Sequence, residues 1–194
     1  MNLPNKLTVS RLVLTAVFVA CFYLPMQSAR SVALLLFAVA SITDYLDGSI
    51  ARSRNLVTNF GKLFDPLADK ILITAALILL VEKSNLPAWI AIAILAREFF
   101  VTGIRLVAAN HGVVLAAEKL GKHKMVWQII TVIYFLLRDA AQEPLIFGWL
   151  RPFFDNLPVF QGYLGAFIVY FTTLLTVVSG FSYFWKNRSL FNDA

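Results

Sequence analysis

Cysteine, histidine and charge are all scarce in this chain. One cysteine, Cys21, among 194 residues excludes an intrachain disulfide framework. Two histidines, His111 and His123, leave little from which to build a zinc or copper centre. Charged residues make up 14% of the sequence, against about 25% in ordinary soluble domains, so the chain lacks the polar surface that a soluble fold of this size needs. No aromatic-basic module or separate basic helix stands apart from the apolar segments, which argues against nucleic acid as a partner. Low-complexity tracts, internal repeats and an appended hydrophilic domain are absent too, so residues 1–194 read as a single domain.

Apolar residues are what the chain has in excess. They make up 59% of it, with a mean hydropathy of +0.75, the composition of a polytopic membrane protein. Hydropathy predicts an all-α fold with six transmembrane helices, at about 7–24, 31–50, 66–82, 87–109, 124–140 and 159–185. Pro25, Pro87, Pro144, Pro152 and Pro158 lie at or between the ends of these segments, where a missing backbone donor is tolerated. The first apolar run is long, lacks a small-x-small cleavage signal and is followed by further spans, so it reads as a retained span rather than a signal peptide.

Lys and Arg placement predicts the orientation. With the N-terminus inside, Lys6, Arg11, Arg52, Arg54, Lys62, Lys119, Lys122, Lys124, Lys186 and Arg188 all fall on the cytoplasmic side. Only Arg30, Lys83, Arg138 and Arg151 fall outside. Trp89, Trp149, Tyr163 and Trp185 sit near the expected interfaces, as an aromatic belt does.

Against this background, four aspartates stand out. Asp44 and Asp47 are three apart at the cytoplasmic end of the second span, and Asp65 and Asp69 are four apart at the start of the third, so each pair shares a helix face. Carboxylates brought together in a membrane repel one another and lose hydration unless a cation joins them. An all-oxygen ligand set suits Mg²⁺ or Mn²⁺, and such ions usually share their coordination with a substrate phosphate. Four carboxylates suffice for two ions, an arrangement suited to phosphoryl displacement. Gly48 and Gly61 let a phosphate approach the backbone, while Arg52 and Lys62 supply positive charge. Solvated carboxylates at helix ends, with Asp65 favoured by the helix dipole and Pro66 as a helix starter, are the plainer reading of the same residues.

The spacing Asp44-x-x-Asp47-Gly48-x-x-Ala51-Arg52, then eight residues, then Gly61-x-x-x-Asp65-x-x-x-Asp69 resembles the signature of the CDP-alcohol phosphatidyltransferase family, with every fixed position filled. The stretches "NKLTVSRL", "FGKLFDPLADK", "AREFFVTGIRLVAANHGVVLAAEKLGKHKM" and "SGFSYFWK" are similar to the branch of that family that joins CDP-diacylglycerol to sn-glycerol 3-phosphate, giving phosphatidylglycerophosphate and CMP. The resemblance implies that Asp44, Asp47, Asp65 and Asp69 bind the divalent metals and that Asp69 is the general base. It further implies that Gly48, Ala51, Arg52 and Gly61 hold the cytidine and pyrophosphate. It implies a six-helix membrane fold with an N-terminal interfacial helix, for which residues 1–6 are short, a homodimer, and a place in the bacterial inner membrane with both termini and the active site toward the cytoplasm.

A cationic cluster complements the acidic one. Arg97 and Arg105 lie along one stripe of the fourth span, with Glu98 beside it, and Lys119, Lys122 and Lys124 begin the fifth. Arg97, Arg105, Lys122 and Lys124 are the expected ligands of an acceptor phosphate, an Arg97–Glu98 ion pair and topogenic lysines being the structural alternative. Asn5 and Thr8, with Arg11 at helical spacing, are expected to line the nucleotide end, and Asn5 equally suits a helix cap. Sibling transferases acting on inositol phosphate, serine or phosphatidylglycerol would keep the aspartates and change the cationic cluster. A cation transporter would need acidic residues in the membrane but neither the glycine–arginine spacing nor the cations.

Overall fold

The computed structural model describes residues 3–54, 59–113, 115–116 and 118–188, with side chains described except at 3–8, 44–54, 59–69 and 161. Every regular element among them is helical: α1 (Leu3–Cys21), α2 (Ala29–Arg54), α3 (Asn59–Glu82), α4 (Ala88–Asn110), α5 (Lys119–Ala141), α6 (Arg151–Asn156) and α7 (Leu164–Lys186). Six of these are long and follow the predicted order. Both α2 and α3 run further toward residues 55–58 than hydropathy predicts, because charged residues end an apolar window without ending the backbone ladder. Helix α1 continues unbroken from Leu3, so no separate interfacial helix precedes it among the described residues. The predicted connection after α5 is itself partly helical, with a 3₁₀ turn at Gly148–Leu150 and α6, and the first residues of the predicted sixth span form a π turn at Val159–Tyr163 before α7 begins.

Helix ends follow from local chemistry. Gly112, at φ 72°, terminates α4 by letting Val113 N–H reach Ala108 O (2.9 Å) and its own N–H reach Ala109 O (3.0 Å). This stop turns the chain into the segment that carries Glu118 to the site. Ser84, at φ 58°, closes α3 by the same pattern, with Asn85 N–H on Leu80 O at 2.9 Å. The start of α2 is held from a distance. Glu143, beyond the end of α5, accepts hydrogen bonds from Arg30 N–H (2.7 Å), Ser31 N–H (2.8 Å) and Ser31 Oγ–H (2.7 Å), placing a buried carboxylate on otherwise unpaired helix donors. Glu143→Ala is expected to cost about 2 kcal/mol by stranding these donors. An unchanged unfolding midpoint in detergent would exclude this role.

Helix α5 is the central element, packing against α2, α3 and α7, while α1 packs on α2 and α3, and α4 on α7. The core joins Phe18, Phe37, Leu77, Leu80, Ile90, Val132 and Leu136. Phe18 meets Phe22 edge-on, with ring centres 5.4 Å apart. All six long helices also turn apolar side chains outward, among them Val17, Val39, Ile78, Phe99, Val126 and Leu174. Apolar surface spread over so many faces is uncommon on a soluble monomer. By length and composition, Leu164–Lys186 is the one described helix that is long and apolar enough to cross a membrane, with shorter apolar stretches at Val9–Cys21 and Ala29–Thr43.

Candidate functional site

The aspartate pairs lie in the two helices that converge on residues 55–58. Counted along the helix axes from that connection, Asp47 and Asp44 lie about 10 and 15 Å into α2, and Asp65 and Asp69 about 9 and 15 Å into α3. The helical backbone preserves the register that puts each pair on one face, and their depths match. This placement and the all-oxygen donor set fit a hard divalent cation. The side chains of all four, with those of Asn5, Thr8, Gly48, Ala51, Arg52, Gly61 and Lys62, lie outside the described residues. Among the described residues, no three His, Cys, Asp or Glu side chains group as a metal centre.

Where the description of α3 resumes, a cavity of about 310 Å³ opens, lined by residues of α3, α4, α5 and α7. Lys70, Ile73 and Thr74 form its α3 wall. Asp69 immediately precedes Lys70 and lies one turn before Ile73, which places its backbone on the border of this cavity. Five basic residues, Lys70, Arg97, Arg105, Lys122 and Lys124, line it against two acidic ones, Glu98 and Glu118. The excess favours an anion.

The cations fall into two groups. Lys124 is only 2% exposed, and its ammonium is bound to Glu98 Oε1; Arg97 Nη1 meets the same oxygen at 3.1 Å. Lys70 donates to the Thr102 hydroxyl, which in turn donates to Glu98 O at 2.7 Å. Glu98 thus joins α4 to α5, with Lys70 of α3 tied in through Thr102. Arg97 reaches this position by lying across α7 at Gly180, where an added Cβ would come within 2.9 Å of its Cγ. Arg105 and Lys122, by contrast, are exposed and make no ion pair among the described residues. Arg105 Nε donates to Tyr183 Oη at 3.0 Å, and its guanidinium lies 5.4 Å from that ring's centre, which fixes the side chain without consuming its charge.

The α4–α5 segment closes one side. Leu115 packs against Val101, Ile104 and Tyr183, and Lys186 Nζ lies 3.0 Å from Glu118 Oε1, within ion-pair range but off the hydrogen-bonding direction. Between α5 and α7 the interior is polar. Thr131 and Thr172 share a hydrogen bond of 2.9 Å, Thr172 also donates to Trp127 O (3.3 Å), and Thr176 donates to Thr172 O (2.7 Å).

All four residues expected to meet an acceptor phosphate therefore line one cavity, though Arg97 and Lys124 share a carboxylate and Arg105 and Lys122 do not. The expected Arg97–Glu98 ion pair is present alongside. Lys119 is exposed and is not part of the lining. Lys70, Gln128 and Tyr183 also line the cavity and are not among the residues that the sequence singles out. The first two carried a signal, being polar residues inside apolar runs; Tyr183 carried none, because its hydroxyl matters only through α7's contact with α4.

Comparison with known proteins places the chain in a family. Residues 1–180 match the family model described as CDP-alcohol phosphatidyltransferase. The chain is 44% identical over 198 aligned positions to a protein of Bacillus subtilis named CDP-diacylglycerol–glycerol-3-phosphate 3-phosphatidyltransferase, covering 96% of this chain and 95% of that one. A protein of the same name from Rickettsia felis is 37% identical, with 98% of this chain and 97% of the relative covered.

Proposed function

The chain belongs to the CDP-alcohol phosphatidyltransferase family, and from that premise we propose that it transfers the phosphatidyl group of CDP-diacylglycerol to sn-glycerol 3-phosphate, releasing CMP. The observation that carries the choice of acceptor is the cationic cavity bordering Asp69, in which Arg105 and Lys122 retain charge for a phosphate. These cations favour a phosphorylated acceptor over serine, whose single carboxylate carries less charge and sits beside its own ammonium. The cavity's volume falls at the small end of the range for small-molecule sites, about 300–1,000 Å³.

Asp44, Asp47, Asp65 and Asp69 would hold one or two Mg²⁺ or Mn²⁺ ions, which supply positive charge to the donor pyrophosphate when bound. Arg52, Gly48, Ala51 and Gly61 bind the CDP head, and Asn5 and Thr8 border its nucleotide end. Arg105 and Lys122 hold the acceptor phosphate, with Arg97 and Lys124 behind them. Asp69 accepts the proton of the C1 hydroxyl as its oxygen attacks the β-phosphorus in line. A bond from that oxygen to phosphorus forms, and the bond to the CMP oxygen breaks. A carboxylate is a weak base for an alcohol, so proton loss accompanies attack instead of preceding it.

The outward apolar side chains support a membrane setting; the Lys and Arg distribution supports a multi-pass protein of the bacterial inner membrane with termini and active site toward the cytoplasm, and the family resemblance supports a homodimer. In that setting the diacylglycerol tail stays in the bilayer while the CDP head reaches the carboxylates. Purified protein in detergent with Mg²⁺ and CDP-diacylglycerol is expected to release CMP when sn-glycerol 3-phosphate is added, and not with serine or inositol phosphate. Chelation should abolish the release and added Mg²⁺ or Mn²⁺ restore it. CMP release with serine instead would replace the acceptor assignment, and metal flux into liposomes without any CMP would favour a transporter.

A further inference from the structure

Gln128 carries a hydrogen-bond donor that no described residue takes up. The residue is 3% exposed, lines the cavity, and its Nε2 has no acceptor among the described residues. A buried amide left in that state is costly, and native proteins keep few of them. Its neighbours on α5 are satisfied elsewhere: Lys124, one turn back on the same face, by Glu98, and Thr131 by Trp127 O at 2.8 Å and by Thr172. The cavity therefore has a polarity order. At its exposed side Arg105 and Lys122 offer full charges; in its buried part Lys124 and Arg97 already share Glu98, and the donors left over among the described residues are Arg97 Nε and the neutral Gln128 Nε2. One ligand that fits this order has an anionic group outside and an uncharged oxygen inside.

We propose that Gln128 determines acceptor specificity by donating from Nε2 to the C2 hydroxyl of the glycerol phosphate, an inference that rests on the transferase reading above. The C1 hydroxyl is the poorer partner, because a donor on its oxygen would occupy the lone pair needed for attack on phosphorus. Lys122 and Gln128 are separated by about 9 Å along the axis of α5, a distance that glycerol phosphate spans with both side chains reaching toward it.

The test compares sn-glycerol 3-phosphate with 3-hydroxypropyl phosphate, which keeps the phosphate and the attacking hydroxyl and lacks only the C2 hydroxyl. The wild type is expected to prefer the former by about 10-fold or more in kcat/KM. Gln128→Met, unbranched and of similar length, is expected to lower kcat/KM for glycerol 3-phosphate by about 10-fold and to leave that for the analogue within about 3-fold. Gln128→Leu repeats the measurement in a second apolar background. Equal losses on both acceptors, or no loss on either, would overturn the assignment and leave the transferase reading standing. No CMP from the wild type with any acceptor would remove that reading and this inference together.

Discussion

Asp69→Asn is expected to lower CMP release by about 10²–10⁴-fold, the range for loss of a positioned general base, while CDP-diacylglycerol binding stays within about 3-fold of the wild type. Asparagine keeps the shape and one carbonyl oxygen but cannot take a proton from an alcohol at neutral pH. The location on α3 sharpens the expectation. Asp69 lies one residue before Lys70 and one turn before Ile73, both lining the cavity assigned to the acceptor, whereas Asp65 is a further turn away. The defect of Asp69→Asn should therefore persist at saturating Mg²⁺, while part of any loss in Asp65→Asn should return as the ion is raised. Single-turnover CMP release combined with a binding measurement separates these cases. Near-normal turnover by Asp69→Asn would overturn its assignment as the base.

Glu98→Gln is the second change with a large expected effect, here on stability. Lys124 has a side chain 3% exposed and Glu98 as its ion-pair partner, with Arg97 competing for the same oxygen. Neutralising Glu98 leaves a buried ammonium beside a guanidinium with no other ion-pair partner for either among the described residues. Breaking a buried pair from one side costs about 3–5 kcal/mol, and since Glu98 retains 23% side-chain exposure the lower figure applies. The opposite substitution, Lys124→Met, should cost less, because Glu98 keeps Arg97 at 3.1 Å and partial access to water. The double variant should lie closer to the wild type than Glu98→Gln does, since it removes both buried charges. Unfolding midpoints in detergent for the four proteins give the coupling directly. Additive losses would show that the two charges do not depend on each other.

How much of this could be read without coordinates depended on whether a signal was local. The four aspartates, their i,i+3 and i,i+4 spacing and the glycine–arginine pattern between them are legible because a helix maps short sequence intervals onto one face. The long helices are legible because apolar runs of that length have few other uses. Hydropathy places the facing ends of α2 and α3 short because it responds to side chains, whereas a helix persists as long as its backbone ladder does. Glu143 was invisible as a cap for α2, since its partners lie at Arg30 and Ser31, far away in sequence and adjacent only through the packing of α5 on α2.

The cationic residues show the division most clearly. Sequence by itself determined that Arg97, Arg105, Lys122 and Lys124 belong together, because basic residues inside apolar segments need a common reason to be there. It could not rank them. Only the tertiary structure decided that Glu98 takes up Arg97 and Lys124, that Tyr183 orients Arg105 without neutralising it, and that Gln128 keeps a donor to spare among the described residues. Each outcome depends on which faces of α4, α5 and α7 meet. Helix contacts of that kind are set by close packing, such as Arg97 lying over Gly180, and no short-range pattern in a sequence reports them.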